Sequence, residues 1–221
     1  TYGARAHDDI STAMFRLRDV ILKTYERGGK LLIPAFSLER TQEIIYDLHV
    51  LWDQKQIPAI PIVVDSPLAS KVTDIFQRHP ECFDEQTYKD FLSRAHNPFT
   101  FSLVKMTETP EESKALNSFK GPMIIMAGSG MCEAGRIRHH LRNNLSDARN
   151  TVLAVGFMSE YTLGRKLLDP KTTSVHIFND VIEKKAEIQY INAYSGHADM
   201  HDLDAYIKNV TELKKLFFII E

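Results

Sequence analysis

Met123 to Ala127 (MIIMA) is a run of five apolar residues that opens directly into Gly128-Ser129-Gly130. A short apolar run bounded by glycine reads as a strand buried on both faces of a parallel sheet. Glu133 to Leu141 follows with strong helix formers, and Ile137 and Leu141 share a face at i, i+4, so this segment reads as a helix. A strand apolar on both faces cannot stand alone. It obliges the rest of the chain to supply neighbouring strands and two covering layers.

Strand, glycine turn and helix start together leave backbone N–H groups at the carboxyl edge of a sheet, where amides and helix dipole both favour an anion. Arg136 and Arg138 lie in the first turns of the expected helix, and His139 and His140 follow; phosphate is the natural guest. The spacing is neither that of a Walker loop nor that of the dinucleotide fingerprint. A tight turn that merely joins strand to helix is the plainer alternative, and the local residues leave both open. Of the two adjacent histidines, which diverge on a helix, one is assigned to packing and one to the crevice rim.

The rest of the chain meets the demand for neighbours. His7 to Arg27 reads as a helix with Ile10, Ala13, Met14, Leu17, Ile21 and Leu22 on its apolar face, ended by Gly28-Gly29. Lys30–Pro34 is a short buried strand. Leu38–Leu51 is a helix with Ile44, Ile45, Leu48 and Leu51 inward, and Ile62–Val64 is a strand. Pro67 suits the first position of a helix running to Arg78. Pro80 to Pro98, with Phe83, Tyr88 and Phe91, reads as an insertion carrying a helix or two. Strands are expected over Thr100–Val104, Thr151–Val155, Val175–Phe178 and Ala186–Ala193, helices over Pro110–Leu116 and Asp202–Lys208, and a helical turn over Tyr161–Leu168. This βα rhythm predicts an α/β fold with an open, mainly parallel sheet and helices on both faces. Polar residues cluster just after strands: Ser37 and Arg40, Asp65 and Ser66, Ser129 and Gly130, Ser195 to Asp199. In such sheets the strand exits line the ligand crevice, although loops are polar in any case.

Composition narrows the function classes. The 221 residues carry a net charge of −2, so any nucleic-acid contact is a local patch and not a whole-domain field. Two cysteines, Cys82 and Cys132, make no disulfide framework and suit a reducing cytosol. Cys132 beside the glycine turn reads as a buried filler before it reads as a reactive thiol. No apolar run is long enough to span a membrane, and no signal peptide opens the chain, so a cytoplasmic location is expected. Both ends read as cut: the chain starts without Met and stops inside the apolar run Leu216–Ile220.

Ala193-Tyr194-Ser195-Gly196-His197-Ala198-Asp199 follows an alternating strand and precedes a helix. A glycine-assisted turn at a strand end can present His197 for proton transfer. Asp199 suits a helix N-cap better than a catalytic role. His197, Asp199 and His201 fail as a metal set, because zinc needs three or four convergent ligands.

Five motifs in order resemble the β-CASP branch of the metallo-β-lactamase superfamily. They are Thr1-Tyr2-Gly3-x-Arg5-x-His7, Pro34-Ala35-Phe36-Ser37-x-x-Arg40-x-Gln42-Glu43, Asp65-Ser66-Pro67-Leu68-Ala69, Gly128-Ser129-Gly130-Met131 and Ser195-Gly196-His197-Ala198-Asp199. That branch includes the endonuclease subunit of the cleavage and polyadenylation specificity factor and ribonuclease J. The resemblance implies a Rossmann-like cap over residues 1–180 and, over 181–221, a return segment into the metallo-β-lactamase domain. It implies a zinc-dependent ribonuclease as the full-length protein, acting in RNA processing. Two zinc ions would be held by ligands mostly outside this chain, with no metal site in the fragment and no nuclease activity of its own. Only His197 matches a catalytic motif. Ser37, Arg40, Ser129, Gly130, Met131, Arg136 and Ser195 are the expected RNA- and phosphate-binding residues. RNA is the expected partner, no membrane is involved, and a homodimer of the full-length protein is compatible with the resemblance. A non-catalytic RNA-binding or scaffold member of the same superfamily is the alternative, and a flavodoxin-like small-ligand binder is a second one resting on fold analogy alone.

Overall fold

A computed structural model describes residues 5–85, 87–89 and 97–210, with Glu212 and Lys215. Thr1 to Gly3, Phe91 and the expected strand over 216–220 lie outside the described residues.

Asp9 caps the first helix, α1 (Ile10–Glu26), by accepting the amide of Ser11. Its buried stripe is Ala13, Leu17, Val20, Ile21 and Thr24, whereas Ile10, expected inward, stands exposed in the first turn. The chain continues through β1 (Lys30–Pro34), α2 (Arg40–Asp53), β2 (Ile62–Val64) and α3 (Pro67–Arg78), the last with Ser66 as N-cap and Pro67 in its first turn. Next come β3 (Val104–Met106), α4 (Pro110–Ala115) and β4 (Met123–Ala127). Thr100 to Phe101, expected as the start of the third strand, form a turn, and pairing begins only at Val104. Beyond β4 lie α5 (Ile137–Asn144), β5 (Thr151–Ala154), α6 (Leu163–Leu168), β6 (Ser174–Ile177), β7 (Asp180–Glu183), β8 (Glu187–Tyr190) and α7 (Met200–Lys208).

Six strands form one sheet in the order β3-β2-β4-β1-β5-β8, and every pairing in it is parallel. The strand expected near Val175 does not join it. β6 pairs antiparallel with β7 in a separate ribbon whose alternating pattern, one face buried and one exposed, suits a half-covered hairpin.

Strand alternation sorts the core into two layers. Leu31, Ile33, Ile62, Val64, Ile124, Met126 and Leu153 point to the face covered by α1 and α2; Leu32, Val63, Met123, Ile125, Ala127 and Val152 point to the face covered by α5 and α6. The chain therefore leaves β1 over one face, by α2, and leaves the adjacent β4 over the other, by α5. Adjacent strands that send their connections to opposite faces make a switch point, where a crevice opens at the carboxyl edge. Among the described residues no helix is long and apolar enough to cross a membrane.

Leu48 of α2 is fully buried against this sheet. Leu48→Ala is expected to cost about 2–5 kcal/mol through lost transfer energy and the cavity left behind. Urea unfolding should show a lower midpoint with an unchanged slope.

Candidate nucleic-acid interface

At the β4–β1 switch point lies a groove of about 660 Å³, walled by Ala35–Leu38 after β1, Asp65–Leu68 after β2, and Gly128, Ser129 and Ala134–Arg136 after β4. Ser37 Oγ lies 3.1 Å from Ser66 Oγ, and the two hydroxyls join neighbouring strand exits. The rim is apolar, with Phe36, Leu38 and Leu68 each more than half exposed.

The turn after β4 differs from expectation. No helix starts at Glu133; α5 begins at Ile137, one turn later. The intervening residues close on themselves instead. Ser129 N donates to Ala134 O, Ile137 N donates to Gly128 O, and Ser129 Oγ accepts the amides of Glu133 and Ala134, each at 3.1 Å. Gly135 takes a φ of +74°, and a Cβ there would stand 2.4 Å from Gly128 O, so only glycine closes this loop. Gly130 is buried beneath the Phe36 ring, and Met131 gives its carbonyl to the amide of Gly164. Neither lines the groove; Ala134 and Gly135 take their place.

Arg136 does face the groove, but as a fixed group. Its Nη1 donates to Asp65 Oδ1 at 2.7 Å, and its Nη2 donates to the carbonyl of Glu108 at 2.8 Å. Asp65 is fully buried and also accepts from Thr107 Oγ1, from Ser113 Oγ at 2.5 Å and from His140 Nε2 at 2.6 Å. Burial would raise this carboxyl; the donors, led by His140, outweigh it and hold Asp65 far below the ordinary carboxylate range. His140 is thus the packing histidine. His139 reaches no crevice rim: its ring lies 4.7 Å from that of Phe178, beside the β6–β7 ribbon.

All carboxyl ends of a parallel sheet share one edge, so the β8 exit lies along the same edge as the groove. Three strand spacings, about 14 Å, separate β4 from β8 in the order given. A 3-10 turn, Asn192–Tyr194, follows β8 and leads to Ser195, Gly196 and His197, the last two exposed. The His197 ring packs edge-on at 5.8 Å against Phe157 from the β5 exit. Arg40 lies two residues beyond the groove wall at Leu38 and turns its side chain to the residues before His197. Its side chain is mostly buried, paired with Glu43, and its guanidinium lies 6.0 Å above the Tyr194 ring. A second cleft, of about 440 Å³, opens here between α2 and residues 193–196.

Asp199 is an N-cap, accepting the amides of His201 at 2.7 Å and Asp202 at 3.0 Å. It also accepts the amide of His7 at 2.9 Å, which fastens the start of the chain to this corner. The His7 amide first, and then that of Asp202, hold its carboxyl below the usual range. Donor atoms of His7, Asp199 and Asp202 lie within 4.8 Å of one another. The carboxylates are nonetheless engaged by backbone amides, Asp202 accepting that of Asp199 at 3.1 Å, so Asp199 and Asp202 form a capping box to which His7 adds its amide, and this does not fit a zinc centre. Cys132 is buried, and desolvation first, then Glu133, pushes its thiol up to about 12, so it is inert filler.

A parallel α/β sheet with a groove at its switch point and an exposed histidine along the same edge defines an open, wound α/β domain. The chain belongs to the Beta-Casp domain family, which matches residues 41–167. The Zn-dependent metallo-hydrolase RNA specificity domain matches residues 181–220, in agreement with the superfamily the motifs resemble. Ribonuclease TTHA0252 of Thermus thermophilus is 37% identical over 92% of this chain and 46% of its own length. Transcription termination factor FttA of Methanosarcina mazei is 29% identical over 95% of this chain and 34% of its own. Endoribonuclease ysh1 of Schizosaccharomyces pombe is 30% identical over 90% and 26%. The chain spans less than half the length of these relatives.

Asp65→Asn removes the negative charge that Arg136 and His140 face and puts an NH2 donor in place of one of the two oxygens that accept from four side chains, and is expected to cost about 3–5 kcal/mol at pH 7. A carboxyl held below its unfolded value, near 3.9, stabilises the fold fully above that pH and progressively less below it. The gap between wild type and variant, read by urea unfolding at pH 7 and pH 3, should therefore narrow in acid.

Proposed function

We propose that this chain is the RNA-binding cap of a longer metal-dependent ribonuclease, endonuclease or 5′-exonuclease, and that the cap folds over residues 1–180 before the chain returns to a metallo-hydrolase domain. The observation that carries this reading is the single sheet edge shared by the Ser37–Ser129–Arg136 groove and the exposed His197 turn. Support comes from the family matches and from relatives named as ribonucleases. An RNA backbone would run along that edge, its phosphates met by Ser37, Ser129, Arg136 and Ser195, with Arg40 adding positive charge at the junction. Gly130 and Met131 would shape the loop that presents Ser129. Contacts of this kind hold phosphates and read little sequence. Phe36 offers an exposed ring on which a base can stack. His197 would contact the scissile phosphate or protonate the leaving oxygen. The metal ions would be held by ligands outside these residues, and the part of this chain is to bind and orient.

Two measurements test it. In the full-length protein His197→Ala should lower RNA cleavage about 10²- to 10⁴-fold while leaving RNA affinity within a few-fold; undiminished turnover refutes the assignment. For the chain alone, single-stranded RNA binding should weaken with salt at a log–log slope of about −0.7 per phosphate held and vary little with sequence. Salt-independent binding, or none, contradicts a backbone-reading edge.

A further inference from the structure

One polar stripe of α2 takes no part in the groove. Arg40, Glu43 and Asp47 share a helix face at i, i+3 and i+7. They look away from Ile44, Ile45 and Leu48, which enter the core, and toward the 193–196 turn. Each of the three touches either that turn or a neighbour that does. Tyr194 Oη donates to Asp47 Oδ2 at 2.5 Å, and the Tyr194 ring is almost wholly buried. Arg40, paired with Glu43, lies above the same ring, and its Nη2 stands 3.6 Å from where a Cβ on Gly196 would be.

Residues 194 and 196 are therefore bracketed from α2, and His197 comes next. The imidazole packs edge-on against Phe157, and the His197 amide donates to Ser195 Oγ at 3.3 Å. Its direction is set by the turn that carries it. We propose that Glu43 and Asp47 are positioning residues for His197, Glu43 acting through Arg40 and Asp47 through Tyr194. The proposal rests on the reading of His197 as the group that meets the RNA.

The stripe is poor for stability, which is what a positioning role predicts. Burial first, and then Asp47 and Glu39, push the Glu43 carboxyl up to about 7 against the opposing pull of Arg40. Burial likewise raises Asp47, opposed by the Tyr194 hydrogen bond, and burial with Asp47 and Glu43 raises Tyr194 in turn. Asp84 and Cys82 line the same cleft from the segment after α3. Apolar residues of the same volume would hold α2 at least as firmly. Charged ones hold one orientation of the guanidinium and one of the ring.

The test uses NMR on this chain and kinetics on the full-length protein. In a His197→Ala background, which takes the imidazole out of the readout, the Gly196 amide and Arg40 Nε resonances should shift together with a midpoint near pH 7. The Arg40-paired form should lie on the alkaline side. Glu43→Gln should abolish the transition and fix both resonances near their acidic positions, and Asp47→Asn should displace the Gly196 amide at every pH. In the full-length protein with His197 intact, Glu43→Gln and Asp47→Asn should lower kcat about 10- to 100-fold with KM nearly constant. Resonances of both variants that overlay the wild type, or an unaltered transition in Glu43→Gln, would overturn the proposal, as would an unchanged kcat in both variants of an active enzyme. A full-length protein that cleaves no RNA, with the resonance shifts as expected, leaves the positioning of the turn standing and removes the ribonuclease reading instead.

Discussion

The buried carboxylate of Asp65 is the point on which the carboxyl edge depends. It stands at the exit of β2 and accepts from Thr107 after β3, from Ser113 in α4, and from Arg136 and His140 around the start of α5. An isolated buried charge would cost far more than any hydrogen bond returns. Four side-chain donors from other elements are thus a requirement of folding, and once they are in place those elements cannot move independently. Arg136 is held at the groove by the same bonds that satisfy Asp65. Charge in the groove is therefore a by-product of a structural necessity, which leaves little freedom for it to swing away.

Farther along the edge the linkage is made differently. Around Asp65 the donors outweigh burial, whereas around Glu43 and Asp47 burial outweighs the donors. One cluster is firm and the other is close to balance. The firm cluster underlies the groove, where an extended backbone needs a rigid trough. The balanced cluster lies under the His197 turn, where a small change in imidazole direction changes chemistry more than stability. The ends of the described chain meet at the same corner. His7 donates to Asp199, Asp8 to Asn192, and Arg16 to the carbonyl of Tyr190, so the first and last motifs become neighbours.

Much of this was legible in local pattern. Lys30–Pro34, Ile62–Val64 and Met123–Ala127 are strands within the expected bounds because each is an apolar run between breakers, and α2 turned Ile44, Ile45, Leu48 and Leu51 inward as its period demanded. Asp199 is the N-cap its position suggested. Misreadings arose where a side chain had a better partner than local pattern shows. Glu133 to Gly135 contain helix formers, yet the Ser129 hydroxyl captures two of their amides and delays α5. Ile10 fits an apolar period but falls in the first turn of α1, where it stands exposed. One of the two adjacent histidines, His140, packs as expected, but His139 lies against a distant hairpin and not at the crevice rim.

Sequence alone determined most of the strands and helices, β7 excepted, and that the main sheet is parallel with two covering layers. Those outcomes follow from periodicity and breakers, which act over a few residues. It also carried the five motifs that name the family. Only the tertiary structure decided that Arg136 serves Asp65, that Arg40 belongs to the His197 turn and not to the groove, and that Gly130 and Met131 lie outside the groove wall. Each of these turns on a hydrogen bond or steric contact between residues remote in the chain, where partner choice is set by burial and geometry and leaves no local trace.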